Sequence, residues 1–187
     1  MDQFSYLSVL LSIILGLAIT QVLKGFRGML LTRARIRFYW PTFVWSLTLL
    51  LFFVQGWWAM FTMRTMTLWT FATFGVILLQ TIIYYMLAAI VFPDFFGSET
   101  VDLREHYFGH ARWFMGLLIA LLMTSLLKSY ILDGRLPEPT NTGFHLFFFA
   151  ASLCAALTRR EWFHKLQAVA AFLGILAYIF VLFQRLK

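Results

Sequence analysis

MTLWTFATFGVILLQTIIYYMLAAIVFP, Met66 to Pro93, runs for 28 residues without one acidic, basic or histidine side chain. Crossing about 30 Å of hydrocarbon as an α-helix takes about 20 such residues. A strand of a membrane barrel would instead alternate apolar and polar positions over about ten residues, and this run does not alternate. Burying so long an apolar segment in lipid leaves the helix as the way to satisfy its own backbone N–H and C=O groups. Working outward, charge positions mark five more such intervals: Phe4 to Leu23, Tyr39 to Met63, Trp113 to Leu132, Thr140 to Thr158 and Leu166 to Gln184.

Composition agrees. The chain is 61% hydrophobic and 12% charged, whereas soluble domains carry roughly 25% charged residues. The expected fold is therefore all-α, a polytopic bundle of six transmembrane helices forming one domain over residues 1–187. The first run follows Asp2 with no basic region before it and no small-residue cleavage pattern after it, so it is expected to stay attached. Cys154 is the one cysteine, which excludes an internal disulfide and a two-thiol redox motif.

The formal charge of +7 does not point to nucleic acid, because the basic residues sit at the ends of apolar runs and line no polar face. Lys and Arg in short loops stay in the cytoplasm. With the N-terminus outside, that side receives Lys24, Arg27, Arg33, Arg35, Arg37, Arg104, Arg112, Arg159, Arg160 and Lys165; the other receives Arg64, Lys128, Arg135, Arg185 and Lys187. Both termini are thus expected on the non-cytoplasmic side, with cytoplasmic loops at about 24–38, 94–112 and 159–165. Three runs start on this cytoplasmic side with arginine beside aromatics: Arg37-Phe38-Tyr39-Trp40, Arg112-Trp113-Phe114 and Arg160-Glu161-Trp162-Phe163. Aromatic belts favour the headgroup level, and basic side chains there attract anionic lipid at about 1 kcal/mol each. The expected lipid-binding rim comprises Arg33, Arg35, Arg37, Trp40, Arg112, Trp113, Arg160 and Trp162.

Ser8, Ser12, Gly16 and Thr20 recur every four residues on the first helix, a seam of small side chains through which helices in lipid approach closely. Packing inside the bundle is the first expectation for it and a subunit contact the second. Gln55 and Gln80 are the notable polar groups within the spans. Counting 1.5 Å per residue from the span ends puts them at different depths, each expected to bond a neighbouring helix and not the other glutamine. No charged or histidine side chain is expected near mid-span, where it would mark an ion or proton route, so a proton-coupled pump is disfavoured. Lys128 is expected to snorkel to the surface and His145 to be interfacial. The echo of Thr20-Gln-Val-Leu-Lys24 in Thr124-Ser-Leu-Leu-Lys128 is too short to establish an inverted repeat.

The longest polar segment, DFFGSETVDLREHYFGHARW from Asp94 to Trp113, holds half of the acidic residues. Asp102, His106 and His110 are spaced by four, hence on one face if helical, with Glu99 a turn before them; His164 is expected at the same end. Two imidazoles and a carboxylate are competent metal ligands, and two opposed histidines such as His110 and His164 would suit haem. The competing reading is structural: Asp102-x-x-Glu105 is a capping pattern. It is the preferred one, so no cofactor is expected.

MDQFSYLSVLLSIILGLAITQVL at the N-terminus, Arg37-Phe-Tyr-Trp40, Gln55-Gly-Trp-Trp58 and His106-Tyr-Phe-Gly-His-Ala-Arg-Trp-Phe114 together resemble a group of small uncharacterised bacterial six-helix inner-membrane proteins. The resemblance implies location and helix count, and no activity. The sequence thus leads to a non-enzymatic, multi-pass inner-membrane protein with membrane lipids as partners. It is expected to act as a self-associating interaction subunit of a membrane complex, or as a small pore or carrier. A metal- or haem-dependent enzyme on the His/Asp face is the alternative.

Overall fold

The computed structural model describes residues 3–31, 35–66, 68–94 and 100–182. Six helices account for nearly all of them: α1 (Gln3–Leu31), α2 (Trp40–Met60), α3 (Phe71–Val91), α4 (Leu103–Asp133), α5 (Pro139–Leu157) and α6 (Glu161–Leu182). All six are long and apolar enough to cross a membrane.

Local chemistry sets their ends. Thr70 caps α3 by accepting the Thr73 N–H at 3.1 Å, and Asp102 caps α4, each satisfying donors that a first turn leaves unpaired. Pro41 and Pro139 sit in the first turns of α2 and α5, where a missing N–H costs nothing. A 3-10 turn, Phe61–Thr65, extends α2. Gly134 takes the left-handed conformation, φ 66°, that closes α4 with its N–H on the Tyr130 carbonyl, a conformation glycine adopts without strain.

Two helices run further than hydropathy indicates. α1 continues eight residues past Leu23 and α4 begins ten residues before Trp113. At 1.5 Å per residue α1 and α4 are about 43 and 46 Å long, more than a hydrocarbon core needs, so their basic, amphipathic ends project beyond the apolar band. His106 and His110 consequently lie on α4 itself.

α3 packs between α1 and α4, α4 lies along α5, and α6 lies against α2 and touches α5; contacts of α2 with α1 close the circuit. The tight pairing of α1 with α3 has no counterpart of similar extent between α4 and α6, so the packing carries no threefold-plus-threefold symmetry. The main core gathers Trp45, Leu49 and Phe53 from α2, Tyr84 and Leu87 from α3, and Met115, Leu118 and Leu121 from α4, with Ala168 and Ala171 admitting α6. A smaller cluster of Leu11, Met60, Met63, Val76 and Ile77 fills the opposite end. The outer surface is as apolar as the interior: Leu10, Ile13, Leu17, Val54, Leu79, Leu153, Leu173 and Phe180 are all exposed. In water such continuous apolar faces would aggregate; lipid is the solvent they fit.

The α1 seam faces outward. Leu11, Leu15, Ala18 and Val22 form the buried stripe, while Ser12, Gly16 and Thr20 are exposed and Ser8 is half-buried. The expectation that this seam packs within the bundle is therefore corrected: the interior takes the bulkier stripe one residue away. The Thr20 hydroxyl donates to the Gly16 carbonyl at 2.8 Å and the Ser8 hydroxyl to the Ser5 carbonyl at 3.0 Å.

Candidate functional site

At one end of the bundle, hereafter the basic end, three connections meet. Ile36–Arg37 and Val101–Asp102 pair as a two-residue parallel bridge, Ile36 opposite Val101 and Arg37 opposite Asp102. Asp102 accepts from the Arg104 and Glu105 backbone N–H groups at 2.9 and 3.1 Å and faces Arg37 at 3.6 Å. Those backbone donors, Glu105 first, and the neighbouring guanidinium hold its carboxyl below the usual carboxylate range. Arg104 reaches Glu161 at 2.8 Å, and Lys165 meets the same carboxylate at 2.9 Å. The acidic side chains thus tie the 94–113 segment to both basic stretches.

Because Asp102 caps α4, Asp102→Ala is expected to cost about 1 kcal/mol. Its lowered folded pKa means that this contribution is fully present above the unfolded carboxylate value and is lost as the pH falls through the folded one. The acid limb of a melting-temperature profile for wild type and Asp102→Asn checks this: a variant limb as steep as the wild type refutes it.

The proposed metal set does not converge. His164 is fully buried; its Nε2–H donates to the Thr158 carbonyl at 3.0 Å, and its Nδ1 accepts from the Tyr107 hydroxyl at 3.0 Å. The carbonyl can only accept, which assigns the proton to Nε2 and leaves neither nitrogen for a metal. His106 Nε2–H donates to the Ile90 carbonyl and His110 Nδ1–H to the His106 carbonyl; their rings lie 4.4 Å apart. Asp102 is engaged by the helix cap. Among the described residues no three or more His, Cys, Asp or Glu side chains form a group suited to a metal ion; Glu99 lies outside them.

Around this end Arg35, Arg37, Trp40, Arg112, Trp113, Arg160 and Trp162 are exposed, as a rim facing lipid and headgroups requires; Arg33 lies outside the described residues. Beneath the rim is an aromatic seal. Tyr39 meets Tyr107 at a tilt with ring centres 5.5 Å apart, and Trp45 meets Phe114 edge-on at 5.0 Å.

The opposite end is open. A cleft of about 350 Å³ lies among α2, α3, α4, α5 and α6, with Gln55, Gln80, Ser125, Lys128, Ser129, Asp133, Asn141 and Tyr178 on its walls. Four of these residues, Gln55, Gln80, Ser125 and Tyr178, also line a narrower chamber of about 70 Å³ closed by Phe52, Tyr84, Leu121, Phe144, Phe148 and Ile175. The two glutamines therefore face one space, and no hydrogen bond joins them. Gln80 donates to Tyr84 of its own helix at 3.2 Å, and among the described residues to no neighbouring helix.

His145 is buried. Its Nδ1–H donates to the Asn141 carbonyl and its Nε2 accepts from Ser125, while Tyr178 donates to the Asn141 side chain at 3.2 Å. Four helices thereby present oriented donors and acceptors to this space, and Tyr84 on its wall meets the Phe53 ring edge-on at 5.3 Å. Sequence reasoning assigned no site role to Ser125, Ser129, Asn141 and Tyr178, and read Lys128 only as snorkelling to the surface, whereas it lines the cleft. The pairs Ser125/Ser129 and Asn141/His145, each spaced by four, are the signal that one polar helix face crosses each of these spans.

Comparison with protein-family models, with curated proteins and with solved structures finds no match to this chain.

Proposed function

We propose that this is a non-enzymatic carrier of the bacterial inner membrane, self-associating, whose ligand site is the cleft from Asp133 down to Tyr84. One observation carries the reading: a polar-walled cleft continues into a narrower chamber, and the lining of the two includes no residue of the basic end. Sites in small-molecule-binding proteins have this form, a concave and largely apolar space with a few convergent polar groups. A cleft closed at one end is one half of an alternating-access cycle. The Ser125 hydroxyl donates to His145 Nε2 at 3.0 Å in this space, and the carrier reading takes that pair as a structural bond between α4 and α5.

The charge count between loops supports a cytoplasmic basic end, so the cleft opens to the non-cytoplasmic side. The exposed arginine and tryptophan rim then meets the anionic inner leaflet. The outward seam of Ser12, Gly16 and Thr20 supports self-association, because close backbone approach is what joins helices where lipid removes the hydrophobic drive.

Single cysteines in a Cys154→Ser background test both parts. Ser125→Cys is expected to react with a membrane-impermeant maleimide from the non-cytoplasmic side alone. Reaction from neither side would refute the cleft as a site, and equal reaction from both would make it a pore. Ser12→Cys and Gly16→Cys are expected to crosslink into dimers while buried Leu15→Cys does not; a monomer in every case refutes self-association.

A further inference from the structure

We infer that the occupant of the cleft is a small organic carboxylate with an apolar body, its charge held by Lys128. The inference rests on the cleft being a ligand site and names what that site selects.

Lys128 is the cation on the cleft walls, and among the described residues no carboxylate lies within ion-pair distance of it. The surrounding groups are amides and hydroxyls: Gln55, Gln80, Ser125, Ser129 and Asn141. His145 contributes no charge in its hydrogen-bonded tautomer, with one ring nitrogen donating to a carbonyl and the other accepting from Ser125. Asp133 stands at the mouth, five residues further along α4 and about 7.5 Å nearer its end, where it guards the opening without neutralising the ammonium. An unpaired cation in a low-dielectric cleft is unfavourable until an anion arrives, so the wall selects negative charge by its own deficit.

The body of the ligand is set by what lies deeper. Leu121 is seven residues before Lys128 on the same helix, two turns or about 10 Å inward. There it joins Phe52, Phe144 and Phe148 around the narrow chamber. Gln55, Gln80, Ser125, His145 and the Tyr84 and Tyr178 hydroxyls are the polar groups on its wall. A carboxylate at Lys128 carrying a ring on a two- or three-atom spacer reaches this chamber, whereas a long acyl chain exceeds it. Inorganic phosphate would leave the aromatic walls unfilled.

The test uses full-length protein with Cys154→Ser and Ser129→Cys in phosphatidylcholine nanodiscs. Modification rates are measured with the anionic reagent sulfonatoethyl methanethiosulfonate and the cationic trimethylammonioethyl analogue, each relative to a free thiol. We expect the anionic reagent to be favoured about fivefold, the preference to vanish in Lys128→Gln, and Lys128→Arg to retain it. Millimolar 3-phenylpropionate is expected to slow modification several-fold, with 3-phenylpropanol and 3-phenylpropylamine without effect. Equal rates for both reagents, unchanged by Lys128→Gln, overturn the anion selection while leaving the cleft as a site. No reaction with either reagent in folded protein overturns the cleft itself. Slowing by added phosphatidylglycerol and not by 3-phenylpropionate assigns the anion to a lipid headgroup and overturns the free carboxylate.

Discussion

Gly56→Leu is expected to lower the melting temperature by roughly 6–12 °C and to abolish labelling of the cleft from the open end. A Cβ at this position would lie 2.8 Å from the Tyr84 hydroxyl and 2.9 Å from its Cε2, so α2 and α3 approach here as glycine alone allows. Leucine must push the two helices apart or turn Tyr84 out of place. Either movement breaks the edge-on contact of Phe53 with Tyr84 and the Gln80–Tyr84 hydrogen bond. Overpacking of a well-filled site costs about 1–3 kcal/mol, and the lost hydrogen bond adds about 1 kcal/mol. At 2–4 °C per kcal/mol for a chain of this size, about 3 kcal/mol gives the stated shift. The clash has a named atom, which supplies the control. In Tyr84→Phe the hydroxyl is gone, so Gly56→Ala should be better tolerated there than in the wild type, a coupling that a double-mutant cycle reads directly. A wild-type melting temperature for Gly56→Leu would show that α2 and α3 are not in close contact, and the floor of the cleft would lose its basis.

The six spans were readable because a charge-free run of 20 or more residues has few alternatives to a helix in lipid. Their true ends were not, since hydropathy falls where α1 and α4 become amphipathic although the backbone continues to Leu31 and back to Leu103. Charge predicted that the 94–113 segment would meet the basic loops, as Arg37–Asp102 and Arg104–Glu161 show. The parallel bridge between residues 36–37 and 101–102 is too short to leave a pattern. Period also has limits: it placed Ser12, Gly16 and Thr20 on one face, but Leu11, Leu15, Ala18 and Val22 are equally regular, and which stripe turns inward depends on the helices around it. The cleft was hidden for a different reason. α4 contributes Ser125, Lys128, Ser129 and Asp133 near its end and the other helices one or two polar residues each, so each span's average stays apolar, and their convergence is a property of packing among five helices. Depth counting put Gln55 and Gln80 at different levels, yet the packing of α2 against α3 brings both to the walls of one cleft.

His164→Leu is expected to destabilise the basic end by about 3 kcal/mol, with a chelator leaving the wild type untouched. His164 joins three elements: its own helix α6, Tyr107 of α4, and the carbonyl of Thr158 at the end of α5. Leucine fills much of its volume but leaves the Tyr107 hydroxyl and the Thr158 carbonyl buried without partners, each costing about 1–3 kcal/mol. Tyr107→Phe alone strands one acceptor, His164 Nδ1, and should cost less. The double variant should recover part of the loss, because its remaining polar orphan is the Thr158 carbonyl. This pattern separates a hydrogen-bonded strut from a metal ligand. Were His164 to hold an ion, Tyr107→Phe would be nearly silent and chelation would lower the melting temperature as far as His164→Leu does. A strut predicts the reverse on both measurements, since both ring nitrogens are already engaged by groups of the chain itself.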